Sequence, residues 1–268
     1  TSWGFRIPHF IWSYGTTQTD LQVNLTQVPT ALNTLALVSA NKMNVNGSDD
    51  RWVSANDTTE ISGFWNETAY NATDTTVWGN ITKTFSSNLT EYSGTDNILN
   101  VSNATGFSNN DVVFIVDNRT ADECSTWEVN TITNVSGNKL TFSTNFENNY
   151  SATTGAVTFG VWRYYNNPSA SSARNITNTF LLGDDFDDGT IDANKWDTSS
   201  ATGFSEGSGY LNQNGLNQFY IFSQKSFSTP VAVRTRVKGT TNPSISHAEA
   251  GFFSSTSDHI GYLTYDSN

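Results

Sequence analysis

The feature that most constrains the fold is a series of short segments in which apolar and polar residues alternate with period two. Such alternation occurs in residues 21–26, 156–165 and 231–238, and residues 112–116 form a short apolar run rich in β-branched residues. Alternation over about four to eight residues is typical of half-buried strands. One helix is predicted, over residues 30–38. The sequence therefore predicts an all-β protein of several domains, built from β-sandwich or jelly-roll modules with a small β module inserted.

Charge and cysteine content exclude several classes of protein. The 268 residues carry 13 Lys and Arg against 25 Asp and Glu, a net charge of −12, whereas phosphate neutralisation needs clustered basic side chains. We therefore expect no nucleic-acid partner. No apolar run approaches the ~20 residues that cross a bilayer, so no membrane span is expected. A single cysteine rules out a disulfide-stapled scaffold.

The strongest local signal is the N-x-Ser/Thr pattern, which marks acceptors of N-linked sugar. It recurs more often than the Asn, Ser and Thr content produces by chance, and it stops after Asn175. An accidental origin in Asn- and Thr-rich sequence is the alternative. We predict a secreted, cell-surface chain with sugar along its first two-thirds. The predicted acceptors are Asn24, Asn46, Asn56, Asn66, Asn71, Asn80, Asn88, Asn100, Asn103, Asn118, Asn134, Asn149 and Asn175.

Changes in composition predict three domains. Residues 1–93 are rich in Trp and in acceptors, residues 94–155 have the pattern of a compact β unit, and from residue 181 the chain becomes Asp-rich and then Ser- and Gly-rich. We predict an N-terminal β-sandwich from residues 1–93 plus 156–180. Residues 94–155 would be a small β module inserted at a loop, where insertions are tolerated, and residues 181–268 a third domain.

Several short motifs resemble a known family. They are Trp-Gly-Phe-Arg-Ile-Pro at 3–8, Asp-Asp-Arg-Trp at 49–52 and Tyr-Tyr-Asn-Asn-Pro-Ser-Ala at 164–170, where Asn166 replaces the usual Gly. The resemblance is to a family of unknown function in exported bacterial and archaeal proteins, which often precedes a concanavalin-A-like lectin or glucanase jelly roll. Residues 94–155 resemble a small β module of exported and phage proteins. An exported, sugar-rich chain without disulfides also resembles archaeal surface proteins.

The resemblance implies an unfinished jelly roll at the C-terminal end. Residues 180–196 resemble the first strand of such a domain, and fewer residues follow than a jelly roll usually takes. We expect the domain at 181–268 to be incomplete. Its missing strands would come from beyond Asn268 or from a partner that adds a strand.

A search for catalytic residues finds none. Glycoside hydrolysis needs paired carboxylates, and the Glu-x-Asp-x-x-Glu motif of laminarinase-like jelly-roll enzymes does not occur in these 268 residues. Glu206 and Glu249 are the only glutamates after Asp184 in the sequence. We predict a non-enzymatic protein. A hydrolase fragment stays open as an alternative, because the catalytic strand could lie beyond Asn268.

A cluster of aspartates is the sharpest acidic feature. Its carboxylates are hard oxygen ligands of the kind that Ca²⁺ prefers, although Phe186 breaks the spacing of an EF-hand loop. The alternative is a solvated acidic turn. A structural calcium is the only cofactor considered, and none is required. The cluster consists of Asp184, Asp185, Asp187, Asp188 and Asp192.

Together these patterns predict an extracellular glycoprotein with a structural or adhesive role, as a subunit of a filament, sheath or surface layer. Its partners would be further copies of itself or other surface proteins. A lectin-like module that binds a glycan is the alternative, since exposed Trp and Tyr rings can stack on sugars, although most such rings belong to cores. A fragment of a glycoside hydrolase is the third hypothesis.

Overall fold

The computed structural model of the chain is nearly all β, which confirms the predicted fold class. The chain divides into two compact units, Thr1–Gly183 and Asp184–Asn268, close to the predicted boundary after residue 180. The structure describes residues 3–17, 21–25, 32–91, 94, 96–119, 124–197, 203–213, 221–228, 232, 233, 235, 248–255 and 258–265.

The strands are short and the helices shorter. In the first unit they are β1 (Phe5–Phe10), β2 (Leu21–Asn24), α1 (Thr34–Ser39), β3 (Arg51–Ser54), β4 (Phe64–Asn66), β5 (Val77–Ile81), β6 (Ser86–Asn88), β7 (Ile98–Asn100), β8 (Val112–Arg119), β9 (Cys124–Ser136), β10 (Lys139–Phe142), β11 (Ala156–Thr158), β12 (Gly160–Tyr165) and α2 (Ile176–Thr179). In the second unit they are β13 (Phe204–Gly207), β14 (Tyr210–Gln213), β15 (Ala248–Ser255) and β16 (Asp258–Tyr265).

Two three-stranded antiparallel sheets build a sandwich in the first unit. Their strand orders are β1-β12-β3 and β2-β5-β4. Apolar side chains from both sheets form one core around Trp52 and Phe64, which are fully buried. Buried and half-buried residues alternate along β5, so Trp78 and Asn80 face away from this core.

A second cluster joins this sandwich to a six-stranded sheet. Strand β12 is buried on both faces: Val161 belongs to the sandwich core, whereas Trp162 packs edge-on against Phe114 of β8 and Trp127 of β9. Strand β8 is likewise buried on both faces. Continuous apolar runs such as the one predicted at 112–116 are typical of strands in this position.

The six-stranded sheet curls until its two edges meet. Its order is β6-β11-β8-β9-β10-β7. Leu89, just after β6, and Val101, just after β7, form an antiparallel bridge, and the Ser102 N–H donates a 2.9 Å hydrogen bond to Asn88 O. The enclosed core is apolar and aromatic, with Phe85 and Tyr150 fully buried. Meeting edges leave less exposed backbone for unwanted pairing.

The predicted insertion at 94–155 supplies β7 to β10 of this curled sheet. The other two strands, β6 and β11, come from the chain on either side of it and pair with each other, Ser86 opposite Thr158 and Asn88 opposite Ala156. The sheet therefore includes residues from outside the predicted insertion.

The alternating segment 156–165 was predicted as one strand, and this prediction is wrong. It breaks at Phe159, where the chain changes its pairing partner. The Phe159 N–H donates to Phe85 O, next to β6, while Phe159 O accepts from the Ile11 N–H, next to β1. Strand β11 thus belongs to the curled sheet and β12 to the sandwich.

The helix predicted over 30–38 begins later, because Asn33 caps it. The Asn33 side chain accepts a hydrogen bond from Ala36 N–H, and α1 spans Thr34–Ser39. Helix α2 was not predicted; Asn175 caps it in the same way through Asn178 N–H. Within the described residues, no helix has the length and apolar character needed to cross a membrane.

The second unit contains two antiparallel hairpins, β13–β14 and β15–β16, in its described part. The strand predicted at the start of this unit is not formed, because residues 184–195 follow bends and turns without a ladder. Only Trp196 pairs, in an isolated bridge with Ser223. Of the segment 231–238, predicted as a strand, the described residues 232, 233 and 235 have no regular structure.

Candidate functional site

The predicted sugar acceptors lie at or near the surface. The side chain of Asn118 is outside the described residues, and none of the other twelve is buried. By contrast, Asn130 and Asn167, which lack the acceptor pattern, are each only 5% exposed. Seven acceptors are exposed, namely Asn46, Asn56, Asn71, Asn88, Asn134, Asn149 and Asn175; Asn24, Asn66, Asn80, Asn100 and Asn103 are partly exposed.

Three acceptors share a local turn that holds the carboxamide oxygen. Asn46 Oδ1 accepts from Ser48 N–H at 3.1 Å, and Asn56 Oδ1 accepts from Thr58 N–H at 3.0 Å. Asn103 Oδ1 accepts from the N–H of the residue two positions on at 3.0 Å. In each case the donor is the Ser or Thr of the acceptor motif itself, in the Asx-turn geometry that these residues favour.

Three other acceptors turn their carboxamide nitrogen toward the protein. Asn66 Nδ2 donates to Thr68 O at 3.0 Å, and Asn80 Nδ2 donates to Asn178 O at 3.3 Å. Asn100 Nδ2 donates to a carboxylate oxygen of Glu91 at 2.8 Å. Asn80 is further enclosed, because its Oδ1 is inaccessible to solvent.

The first and last aspartates of the predicted metal cluster, Asp184 and Asp192, are engaged with neighbouring groups. Asp184 Oδ2 accepts a hydrogen bond from Trp196 Nε1 at 2.7 Å and lies 3.6 Å from Lys195 Nζ. Asp192 Oδ2 lies 4.0 Å from the same ammonium group, and its Oδ1 accepts from Asn194 N–H. These carboxylates therefore already have cationic or donor partners.

The rest of the cluster is more open, and a residue outside the prediction joins it. Asp188 Oδ1 accepts from Thr190 N–H, Asp185 is half-buried and Asp187 is exposed. Glu206 of β13 is hydrogen-bonded to Asp188, and its Oε2 is enclosed. Burial, the bond to Asp188 and the negative charges of Asp184 and Asp188 raise the pKa of the Glu206 carboxyl.

These contacts bear on whether the acidic residues could hold a metal ion. A proton shared between Asp188 and Glu206 accounts for their contact and agrees with the raised pKa of Glu206. Among the residues that the structure describes, no group of three or more His, Cys, Asp or Glu side chains is arranged to hold a metal ion. The predicted aspartates alone do not form a ligand set there.

A buried ion pair was missed by the sequence analysis. Arg163 Nε donates to Asp50 Oδ1 at 2.7 Å, and both side chains are fully buried. Tyr70 OH and Trp52 Nε1 donate to the other carboxylate oxygen, at 2.7 and 3.2 Å. The signal lay in the Asp-Asp-Arg-Trp motif and in one Arg within an apolar strand. Because neither side chain reaches the surface, this ion pair stabilises the core and is not accessible to a ligand.

His9 lies beside this pair. Its ring meets Trp52 edge-on at 4.8 Å, and its Nε2 is enclosed without a hydrogen-bond partner. Burial, reinforced by the positive charge of Arg163, lowers the pKa of His9 to about 3, against a hydrogen bond to the Leu25 backbone. The imidazole is therefore neutral at physiological pH.

A row of aromatic rings leads from the core to the surface. Phe10 contacts Phe114 edge-on at 5.3 Å and Trp12 at 6.4 Å. Trp12 and Tyr14 have nearly parallel rings, 7° apart in orientation with centroids 6.1 Å apart. Tyr14 is 52% exposed, so the row ends in an accessible aromatic face.

One comparison with known proteins gives a match. A family model described as a domain of unknown function, DUF2341, matches residues 153–199, a segment that includes β11, β12 and α2. This match fits the predicted resemblance to a family of unknown function, and it contains the Tyr-Tyr-Asn-Asn-Pro-Ser-Ala motif. It does not confirm the concanavalin-A-like jelly roll. No curated protein and no solved structure matches the chain.

Proposed function

We propose that this chain is a heavily N-glycosylated extracellular surface protein with a structural or adhesive role, and that it forms part of a filament, sheath or surface layer. The observation that carries the proposal is the placement of the acceptors: none of the twelve described ones is buried, although two asparagines without the motif are. Attached sugar is bulky and solubilising and belongs at such positions.

The packing of the first unit supports a structural role. Its strongest charged constellation, Asp50 with Arg163, is sealed inside the sandwich. The curled sheet closes edge to edge, which suits a protein that lasts outside the cell, where open strand edges invite aggregation. A jelly-roll fold of the second unit, and strand addition between neighbouring copies, are part of the same proposal.

The proposal is tested on native material, without refolding. Glycopeptide mass mapping should find sugar on several acceptors, and negative-stain electron microscopy should show fibres, tubes or lattices that label with an antibody to this chain. Isolated particles that carry sugar would leave a glycoprotein without the assembly role. Unmodified asparagines throughout would overturn the proposal.

A lectin-like function is the second candidate, and the stacking of the exposed Tyr14 on the partly buried Trp12 favours it. The flat face of an aromatic ring packs well on the apolar face of a sugar ring. Affinity electrophoresis through gels containing single polysaccharides tests this candidate. Retardation that Tyr14→Ala removes, and that Val45→Ala at another exposed site leaves intact, would support it. A hydrolase fragment stays the least favoured reading, and release of reducing sugar would promote it.

We keep structural calcium as a proposal, with Asp188 and Glu206 as its ligands and Asp185 and Asp187 nearby in sequence. Added Ca²⁺ should raise the unfolding temperature of the second unit, and Glu206→Gln should remove the increase. Asn212→Ala, at an exposed position of β14 outside the acidic cluster, is the control. An equal response of both variants to Ca²⁺ would exclude a site at Glu206.

A further inference from the structure

Residues 174–180, here called the strap, lie across the outer side of the sheet β2-β5-β4. The Asn175 N–H donates to Phe64 O at 2.9 Å, and the Phe180 ring lies 6.3 Å from the ring of Trp78. Thr179 within the strap is fully buried. The strap is packed so closely that a methyl group on Gly63 would overlap the carbonyl oxygen of Asn178.

Three sugar acceptors meet at this strap. Arg174 Nη1 donates to Asn66 Oδ1 at 2.6 Å. With its oxygen held by the strap in this way, Asn66 donates from Nδ2 to Thr68 O at 3.0 Å, within the acceptor motif itself. Asn178 bonds the other two acceptors, Asn175 and Asn80, through its backbone N–H and its backbone carbonyl respectively. Its N–H donates to Asn175 Oδ1 at 2.9 Å, and its carbonyl accepts from Asn80 Nδ2 at 3.3 Å.

These contacts fix which end of each carboxamide faces the protein. A backbone N–H can bond only to the oxygen, and a backbone carbonyl only to the NH₂ group. Asn175 therefore gives its oxygen to the strap and keeps its nitrogen on the exposed side, as Asn46 does in its turn. Asn80 does the reverse: its nitrogen bonds the strap, and its oxygen is enclosed.

The chemistry of attachment depends on this difference. In N-glycosylation, Nδ2 forms a bond to the anomeric carbon of an activated glycosyl phosphate donor. The phosphate leaves with the electron pair of its C–O bond, and one Nδ2 proton passes to a base. The transferase that supplies the donor must reach Nδ2, and the bulky sugar must then find space beside it.

On the basis of the proposed function, we propose that the docked strap protects Asn66 and Asn80 from glycosylation, whereas Asn46, Asn103 and Asn175 carry sugar. Asn66 and Asn80 then serve as structural amides that hold the strap. The same strap presents Asn175 for modification, because helix capping uses only the oxygen of that side chain. A sugar on Asn80 and a docked strap exclude each other.

Site-by-site occupancy in native material is the first test. Glycopeptide mapping should show occupancy about tenfold lower at Asn66 and Asn80 than at Asn46 and Asn175, because only molecules with an open strap are substrates. Equal occupancy at Asn80 would overturn the inference and leave the glycoprotein proposal standing. Sugar on no asparagine would overturn both.

A second test releases the strap. Gly63→Ala, expressed in a host that modifies N-x-Ser/Thr acceptors, should raise occupancy at Asn80 several-fold with no change at Asn46. Gly94→Ala is the matched control, since nothing lies within 4 Å of a methyl group there. If Gly63→Ala does not fold, Arg174→Ala removes the bond to Asn66 with less disturbance. Occupancy at Asn80 and Asn66 that neither variant changes would contradict the proposal.

Discussion

Arg163 Nε donates a 2.7 Å hydrogen bond to Asp50 Oδ1 across 113 residues of sequence, and neither side chain is accessible to solvent. The pair ties β12, the last strand of the first unit, to the turn before β3. Arg163 also lies over the ring of Trp52, at 5.5 Å, and over that of Tyr165, at 5.3 Å. A charge pair in this position binds distant parts of the sandwich together.

We expect Asp50→Asn to destabilise the first unit by about 3–5 kcal/mol, because it leaves the Arg163 charge buried without a counter-ion. The free energy of unfolding in urea measures the effect. Asp57→Asn is the control: it breaks the exposed pair with Arg6, whose side chain is 44% exposed, and should cost under about 1 kcal/mol. Similar losses in both variants would show that Asp50 is not a core charge.

His9 should make the first unit sensitive to mild acid. Its pKa is lowered to about 3 in the folded protein, from 6.5 in the unfolded chain, so the unfolded state binds the proton first. The stability that depends on neutral His9 is fully present above about pH 6.5. It falls by up to about 1.4 kcal/mol for each pH unit below that value, toward pH 3. Urea unfolding at pH 7.5 and pH 5.0 should give a smaller difference for His9→Phe than for the wild type. Equal differences would mean that carboxylates alone set the acid response.

Glu206→Gln should stabilise the second unit at neutral pH. The raised pKa of Glu206 means that its ionised form is disfavoured in the folded state, beside Asp188 and Asp184. Stability that this carboxyl contributes is present at acidic pH and is lost as the pH rises through its folded pKa. The unfolding temperature of Glu206→Gln should exceed that of the wild type at pH 7.5 and equal it at pH 4, without calcium. A lower value at pH 7.5 would contradict this account.

Gly160→Ala should destabilise the junction between β11 and β12. A methyl group at Gly160 would lie 2.6 Å from His9 O and 2.8 Å from the ring of Phe114, and neither neighbour is free to move far. We expect a loss of about 1–3 kcal/mol, as in other overpacked cores. Gly94→Ala, where the space is open, should be close to neutral. A neutral Gly160→Ala would show that the two sheets can separate slightly at this point.

Much of the fold follows from local patterns in the sequence. Strands β2 and β8 lie where alternation or a short β-branched run predicts them. The break at Phe159 could not be predicted, because the apolar alternation continues through it. The strand ends only because the pairing partner changes from β6, opposite β11, to β1, opposite β12. Helix α2 was not predicted because Ile-Thr-Asn-Thr is too short to show apolar residues at helical spacing. A single capping Asn is too weak a signal.

The candidate site was predictable in part for a similar reason. A sugar acceptor is a contiguous motif, so all thirteen could be named from the sequence, although which atom of each carboxamide faces solvent depends on folded neighbours such as Asn178. The partners Asp50 and Arg163 are distant in the chain, and only the sandwich brings them together. Glu206 stands alone in its segment, and its link to Asp188 depends on the placement of β13.

The pairing of Asn88 with Ala156 has a consequence for how this chain can vary. Partners in an antiparallel ladder are about 5 Å apart, so the chain between these two residues leaves β6 and returns to β11 at almost the same point. A tight turn could bridge that gap in place of four strands. The segment from β7 to β10 is therefore a cassette: it could be exchanged, shortened or enlarged during evolution, or replaced by design with another domain whose ends lie close together.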